Sequence, residues 1–203
     1  MRVIAGEYRS RPLRALAGIH TRPTSDRLRE TLFNVLGAGF PEAFAGSVWL
    51  DIFAGTGAVG IEALSRGAHI AYFIESSRQA ADVIRENLRA LKITAGFQIS
   101  EREAAQALRL LEAAGLVCDF CFLDPPYARQ EAYAETLGFM AKSRLLRDRS
   151  IVIAEHDKRF DPGERFGALE RYRRLQQGDA ALSFYRLTIK SPRDQANKHP
   201  ATG

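Results

Sequence analysis

Between residues 47 and 155, short apolar runs alternate with stretches whose apolar residues recur every three to four positions. Segments 47–53, 68–74, 97–100, 117–123 and 150–154 read as buried strands. A helical pattern starts at Ile61, and 77–91, 103–114 and roughly 130–146 read as further helices. Strands alternating with helices predict a parallel sheet with right-handed crossovers. Upstream, residues 2–16 mix β-formers with a glycine and a proline and read as a short hairpin. Residues 25–37 then form a helix with Leu28, Leu32, Val35 and Leu36 on one face and Asp26 in its first turn. The alternation breaks at the end. Runs 169–175 and 181–189, joined by Gln176-Gln177-Gly178-Asp179, read as an antiparallel hairpin. The pattern predicts a seven-stranded, mostly parallel α/β domain over 41–189. An N-terminal extension over 1–40 packs on it, and a polar tail over 190–203 is expected to be disordered.

The first strand runs into Gly55-x-Gly57-x-x-Gly60 and a helix start. Glycines at such a turn let a ligand approach the backbone, and the free N–H groups at the helix start point at it. The next strand ends at Glu75. An acid at the end of the strand after a glycine turn can accept both hydroxyls of a ribose. Residues 47–91 are therefore expected to bind a nucleoside-containing cofactor. Glu103 stands after the third strand, where it can contact an adenine amine or serve as a helix-start charge.

The fourth strand ends in Asp124-Pro125-Pro126-Tyr127. Each proline fixes its own φ, removes a donor and biases the residue before it to an extended shape. Asp124 is thus expected at the carboxyl edge of the sheet, with an aromatic ring three residues on. A carboxylate, backbone carbonyls and a flat ring together suit a planar base bearing an exocyclic amine. In an open parallel sheet, ligands bind beyond the strand carboxyl ends, so Asp51, Gly55, Gly57, Glu75, Glu103 and Asp124 can line one cleft.

The chain is ordinary globular material, 46% hydrophobic and 26% charged. It has no apolar run long enough to span a bilayer, and its first residues meet a charge too early for a secretory leader to be expected. A cytoplasmic protein is expected. Cys118 and Cys121, three apart in a strand, should face opposite sides and act as small buried hydrophobes. The four histidines have no metal-ligand spacing, so no metal is predicted. Net charge is +5 and the pI about 9.5. Residues 1–30 carry seven arginines against three acids, and 165–193 carry six arginines and one lysine against two acids. Such clusters suit a polyanion. In the N-terminal cluster, arginines interleave with Tyr8, a pattern fitted to phosphate and base contacts.

Several blocks taken together resemble the S-adenosylmethionine-dependent class I methyltransferases. Within them, the chain resembles the bacterial 16S ribosomal RNA guanine-N2 methyltransferases of the RsmD type over about residues 1–189. The blocks are 2–11, 22–34, 51–57 with 62–67, and 124–127. The resemblance implies a Rossmann-like fold and S-adenosylmethionine as cofactor. Asp51, Phe53, Gly55, Thr56 and Gly57 would lie around its methionine portion, Glu75 and Ser76 at the ribose, Glu103 and Ala104 near the adenine, and Asp124 beside the methyl. Ser77 and Glu103 depart from the family's usual residues. Asp124, Pro125, Pro126 and Tyr127 would form the catalytic motif. Arg2, Tyr8, Arg9, Arg11, Arg22 and Arg27 would grip RNA of the small ribosomal subunit, with the enzyme acting as a monomer. An amino-methyltransferase acting on adenine or cytosine in DNA or RNA shares most of these motifs. A non-catalytic RNA-binding protein and a nicotinamide-dependent oxidoreductase are the more distant alternatives.

Overall fold

The computed structural model describes residues 1–16, 25–38, 42–126 and 129–188. Its elements run α1 (Asp26–Leu36), β1 (Val48–Ile52), α2 (Ala58–Ser65), β2 (Ile70–Ile74), α3 (Arg78–Ala90), β3 (Phe97–Ser100) and α4 (Ala104–Ala113). They continue with β4 (Cys118–Leu123), α5 (Glu131–Met140), β5 (Leu146–Asp157), β6 (Arg165–Phe166), β7 (Leu169–Gln177) and β8 (Ala180–Leu187). One sheet has the order β3-β2-β1-β4-β5-β8-β7-β6. The first five strands in that order are parallel, and the other three pair antiparallel. The tail expected over 190–203 lies outside the described residues.

Strand order reverses between β1 and β4, and the helices divide there. Apolar residues of α1, α2 and α3 bury against one face with Trp49, Phe73, Phe120, Phe122 and Phe184. Those of α4 and α5 bury against the other with Leu50, Ile52, Leu123 and Tyr185. Covered on both sides, β1 and β4 are almost wholly apolar, as a parallel sheet requires. Their carboxyl ends open at the switch point, where such sheets bind ligands. No helix among the described residues is long and apolar enough to cross a membrane.

The structure corrects four expectations. Among the described residues the sheet has eight strands, because the two-residue β6 adds an edge too short to leave a periodic signal. Helix α5 ends at Met140 and β5 already begins at Leu146. Leu145 and Leu146 continue the helical spacing of Leu137 and Met140, yet they bury beyond the turn that separates the two elements. Cys118 and Cys121 lie on the same face, in one core cluster. The β4–β5 register slips between Cys118 and Phe120, and that bulge breaks the alternation. Finally, residues 2–16 fold back on themselves as expected, through the Arg2–Pro12 bridge and backbone bonds from Val3 to Arg11, Ser10 to Val3 and Leu13 to Met1, but they form no strand ladder longer than that bridge. The N–H groups of Ile4, Ala5, Glu7 and Tyr8 are bound instead by α2, through the Glu62 and Ser65 side chains and the Ser65 carbonyl. The segment is a strap laid on α2. Val3 and Leu13 pin it into the same core as α1 and the sheet.

Candidate functional site

The site grows from the end of β1. Asp51 is 2% exposed, and its Oδ2 accepts the Gly60 N–H at 2.9 Å. Gly57 caps α2 in a left-handed conformation without a side-chain bond, so Asp51 supplies the acceptor that the helix start lacks. Burial pushes the Asp51 carboxyl up to about 7; the Gly60 bond opposes this and the charge of Glu75 adds to it.

The turn between β1 and α2 holds three successive odd-numbered residues at positive φ: Phe53 (60°), Gly55 (54°) and Gly57 (75°). Phe53 carries a backbone strain uncommon for a residue with a Cβ, and such strain clusters at ligand sites. A Cβ built on Gly55 would meet nothing within 4 Å, so open space lies against its backbone. A Cβ on Gly60 would fall 2.4 Å from the Phe73 ring, so that glycine serves close packing of α2 on β2. Thr56 is buried, and its carbonyl accepts from the Asn87 amide of α3 at 3.0 Å.

Glu75, at the end of β2, receives the Gly55 N–H on one oxygen at 2.9 Å and the Ser77 N–H on the other at 2.8 Å. Each carboxylate oxygen retains a lone pair for a ligand hydroxyl. Ser76 beside it is exposed. Glu103 is the exposed N-cap residue of α4, with Ala104 buried behind it. Its Oε2 accepts from Arg129 at 3.1 Å, an ion pair that joins the loop after β3 to the loop after β4.

Asp124 follows β4, and its N–H reaches the Ile52 carbonyl of β1 at 3.4 Å. Part of its surface remains open, yet it sits deep between two other acids. Burial, then the charges of Glu155 and Asp51, raise its pKa well above the carboxylate range. Pro125 is buried and Pro126 exposed, and the Pro126 carbonyl accepts the Arg129 N–H at 2.8 Å. Tyr127 and Arg22 lie outside the described residues.

The structure brings together Asp51, the glycine turn, Glu75 and Asp124, and it adds residues that the motifs did not single out. Glu155 is buried on β5, one position past Ala154, which pairs with Leu123. Parallel register therefore sets Glu155 beside Asp124. The signal in the sequence was an acid closing the fifth strand. Arg29 on α1 is fully buried, and its Nη2 donates to Asp26 and to the Arg2 carbonyl. The charges of Asp26, Glu62 and Glu155 bear on it and oppose the fall in its pKa that burial causes. Its Nε and Nη1 have no hydrogen-bond partner among the described residues.

Of the expected RNA contacts, Arg2, Arg9, Arg11 and Arg27 are exposed or partly so, and Tyr8 is half-buried. Arg2 and Arg11 are partly engaged, with Asp26 and the Ala90 carbonyl respectively. Grooves of about 430 and 770 Å³ flank the edge strand β3 on the two sides of the sheet. Neither is lined by any of the strand-end acids Asp51, Glu75, Asp124 and Glu155, so the site rests on donor chemistry and not on cavity size.

Residues 1–186 match the family described as Conserved hypothetical protein 95. The chain is 35% identical to a Bacillus subtilis protein named putative rRNA methyltransferase YlbH, over 92% of this chain and 98% of the relative. It is 34% identical to ribosomal RNA small subunit methyltransferase D of Escherichia coli, over 77% and 75% of the two chains. The solved structure of the putative methyltransferase yhhF of Escherichia coli superposes with a TM-score of 0.76 at 29% identity, covering 94% of this chain and 99% of that one. A putative methylase of Haemophilus influenzae superposes with a TM-score of 0.72 at 27% identity, covering 93% and 98%. With that extent of match, and with the methyltransferase fold built around its strand-end acids, the chain belongs to the Conserved hypothetical protein 95 family, the RsmD family of methyltransferases.

Proposed function

We propose that this protein transfers a methyl group from S-adenosylmethionine to the exocyclic N2 of a guanine in 16S ribosomal RNA. The observation that carries the reading is the placement of Asp124 beside the cradle formed by Asp51, Gly55 and Glu75, at the switch point of the sheet. The residues present fit the cofactor. Open space against Gly55 admits a ligand to the backbone, Glu75 keeps acceptor capacity for ribose hydroxyls, and three clustered acids suit a cation. When bound, S-adenosylmethionine supplies a methyl on a positively charged sulfur, a strong electrophile.

The exocyclic nitrogen of guanine is a poor nucleophile, because its lone pair is delocalised into the ring. The protein's task is therefore alignment. The Asp124 carboxylate and the Pro125 carbonyl accept hydrogen bonds from the amine, which directs its lone pair and stabilises the positive charge that develops on nitrogen. The methylated amine then sheds a proton. Asp124, held as the carboxylate by the positive charge of the bound cofactor, would accept it. Tyr127 stacks on a base turned out of its helix or loop, a role assigned from sequence. Arg2, Arg9, Arg11 and Arg27, with Arg22, hold the RNA phosphates.

The test is Asp124→Asn, assayed for turnover and for cofactor binding by calorimetry. Loss of turnover by about 100-fold or more with cofactor affinity within about tenfold supports the role. Turnover at the wild-type rate rejects it.

A further inference from the structure

The C-terminal hairpin carries an aromatic–arginine surface that the catalytic site does not use. The β7–β8 register pairs Arg171 with Tyr185 and Arg173 with Phe184, so Tyr172 is an extra residue in a β-bulge. Bulges re-aim side chains. This one leaves Tyr172 41% exposed in a hairpin where an aromatic would ordinarily pack. The Arg186 guanidinium lies over the Tyr172 ring, 5.1 Å from its centroid. The ring also meets Phe184 at a tilt, with centroids 6.3 Å apart.

Charge partners are unevenly spread around this ring. Arg171 is neutralised by Asp161 and Glu164, Arg165 by Glu170, and Lys158 by Asp179. Glu170 stands across from Arg186 but is bound by Arg165 and Thr188. Among the described residues, Arg173 and Arg186 have no ion pair, and Arg174 makes only a hydrogen bond to the Lys158 carbonyl.

The surface also faces the right way. Arg173 pairs with Phe184, and Arg186 lies two residues beyond it. Both are therefore on the side of the sheet that carries Phe184, Ile153, Phe122, α1 and the strap. The same period of two puts Asp124 on the side of Phe122 and Glu155 on the side of Ile153. Strand β7 stands three strand spacings from β4, roughly 15 Å across the sheet at the usual spacing, and the register sets Arg173 level with Phe122 and Arg186 level with Phe120, two and four residues short of Asp124.

We propose that Tyr172, Arg173 and Arg186 form a second RNA contact, which holds a single-stranded stretch of the substrate a few nucleotides from the target base. This rests on the reading of the substrate as ribosomal RNA. An exposed ring stacks a base, and a guanidinium already ordered on that ring presents its remaining N–H groups to a phosphate at reduced entropic cost. With the strap on the other side of the cleft, the target nucleotide would be gripped from both flanks.

The test measures binding of in vitro transcribed small-subunit ribosomal RNA across a salt titration. The proteins are the wild type, Tyr172→Phe, Tyr172→Ala and the double variant Arg173→Gln/Arg186→Gln. All three positions are exposed, so melting temperature and S-adenosylmethionine affinity should stay at wild-type values and serve as controls. Tyr172→Ala should bind about tenfold more weakly and Tyr172→Phe as the wild type. The double variant should lose affinity and about two units of salt slope. Wild-type affinity and slope in every variant would overturn the second contact and leave the ribosomal RNA reading standing. Loss confined to a ribosomal particle, with bare RNA bound normally, would make the surface a protein contact and overturn the inference. A wild type that binds neither the RNA nor small-subunit particles would remove the substrate reading and this inference with it.

Discussion

Asn87 of α3 ties the glycine turn to the N-terminal strap. Its amide donates to the Thr56 carbonyl at 3.0 Å, and its Oδ1 accepts the Arg14 N–H at 2.7 Å. The side chain is buried, so truncation strands polar groups on both partners. Asn87→Ala should lower stability by about 2–3 kcal/mol in denaturant unfolding. It should also weaken cofactor binding, because the turn carrying Gly55 loses its support. Unchanged cofactor affinity would show that the turn holds its shape without Asn87.

The strap depends on Gly6, which has φ +80°. A Cβ there would lie 1.8 Å from the Ser65 carbonyl oxygen, a backbone atom that cannot yield without moving α2. Gly6→Ala should release the strap while the sheet stays folded. Limited trypsin digestion should then cut at Arg9 or Arg14 several-fold faster, with the circular dichroism of the core retained. Equal cleavage rates would contradict the packing described.

Asp51 gives a pH dependence of defined sign. Its carboxyl titrates near 7 in the folded protein, against 3.8 unfolded. Between those values the native state holds a proton that the unfolded state has lost, so this group's contribution to stability falls as pH rises from about 4 to 7. The full loss is at most about 4 kcal/mol, and Asp51→Asn should flatten that part of the profile. Binding runs the other way. A cation favours the ionised carboxylate, so S-adenosylmethionine affinity should rise through about pH 7. S-adenosylhomocysteine, with neutral sulfur, should show less of that rise. Parallel calorimetric profiles for the two ligands would rule out a charge interaction between this acid and the sulfonium.

Arg29 places a positive charge among Glu62, Glu155 and the acids beyond. Arg29→Met keeps the bulk and removes the charge. Without it, the carboxyls around Asp124 should ionise less readily, and the acidic limb of the turnover profile should move to higher pH. An unmoved limb would mean that Arg29 serves packing alone.

Much of the site was legible because its parts are local. A strand, a glycine turn and a helix start carry Asp51 and Gly55 within a few residues, and two prolines fix Asp124 at a strand end. What was hidden depends on distant pairing. Glu155 becomes a neighbour of Asp124 only through the β4–β5 register. Glu62 reads as an ordinary helical acid until Ile4 and Ala5 come to it across the fold. Arg29 reads as one more basic residue of the arginine-rich N-terminal end, but it is buried. The extra residues 147–150 of β5, opposite Asp119, and the bulge at Tyr172 escape a period-two reading, because each is an insertion into that period.

The most direct measurement is transfer of labelled methyl from S-adenosylmethionine to small-subunit ribosomal RNA, or to particles from cells lacking this protein. Digestion then identifies the modified nucleoside. The account predicts N2-methylguanosine, formed by the wild type and lost with Asp124→Asn. Methylated adenosine or cytidine would contradict the guanine assignment, and no transfer to any RNA or particle, with the cofactor bound, would contradict the substrate itself.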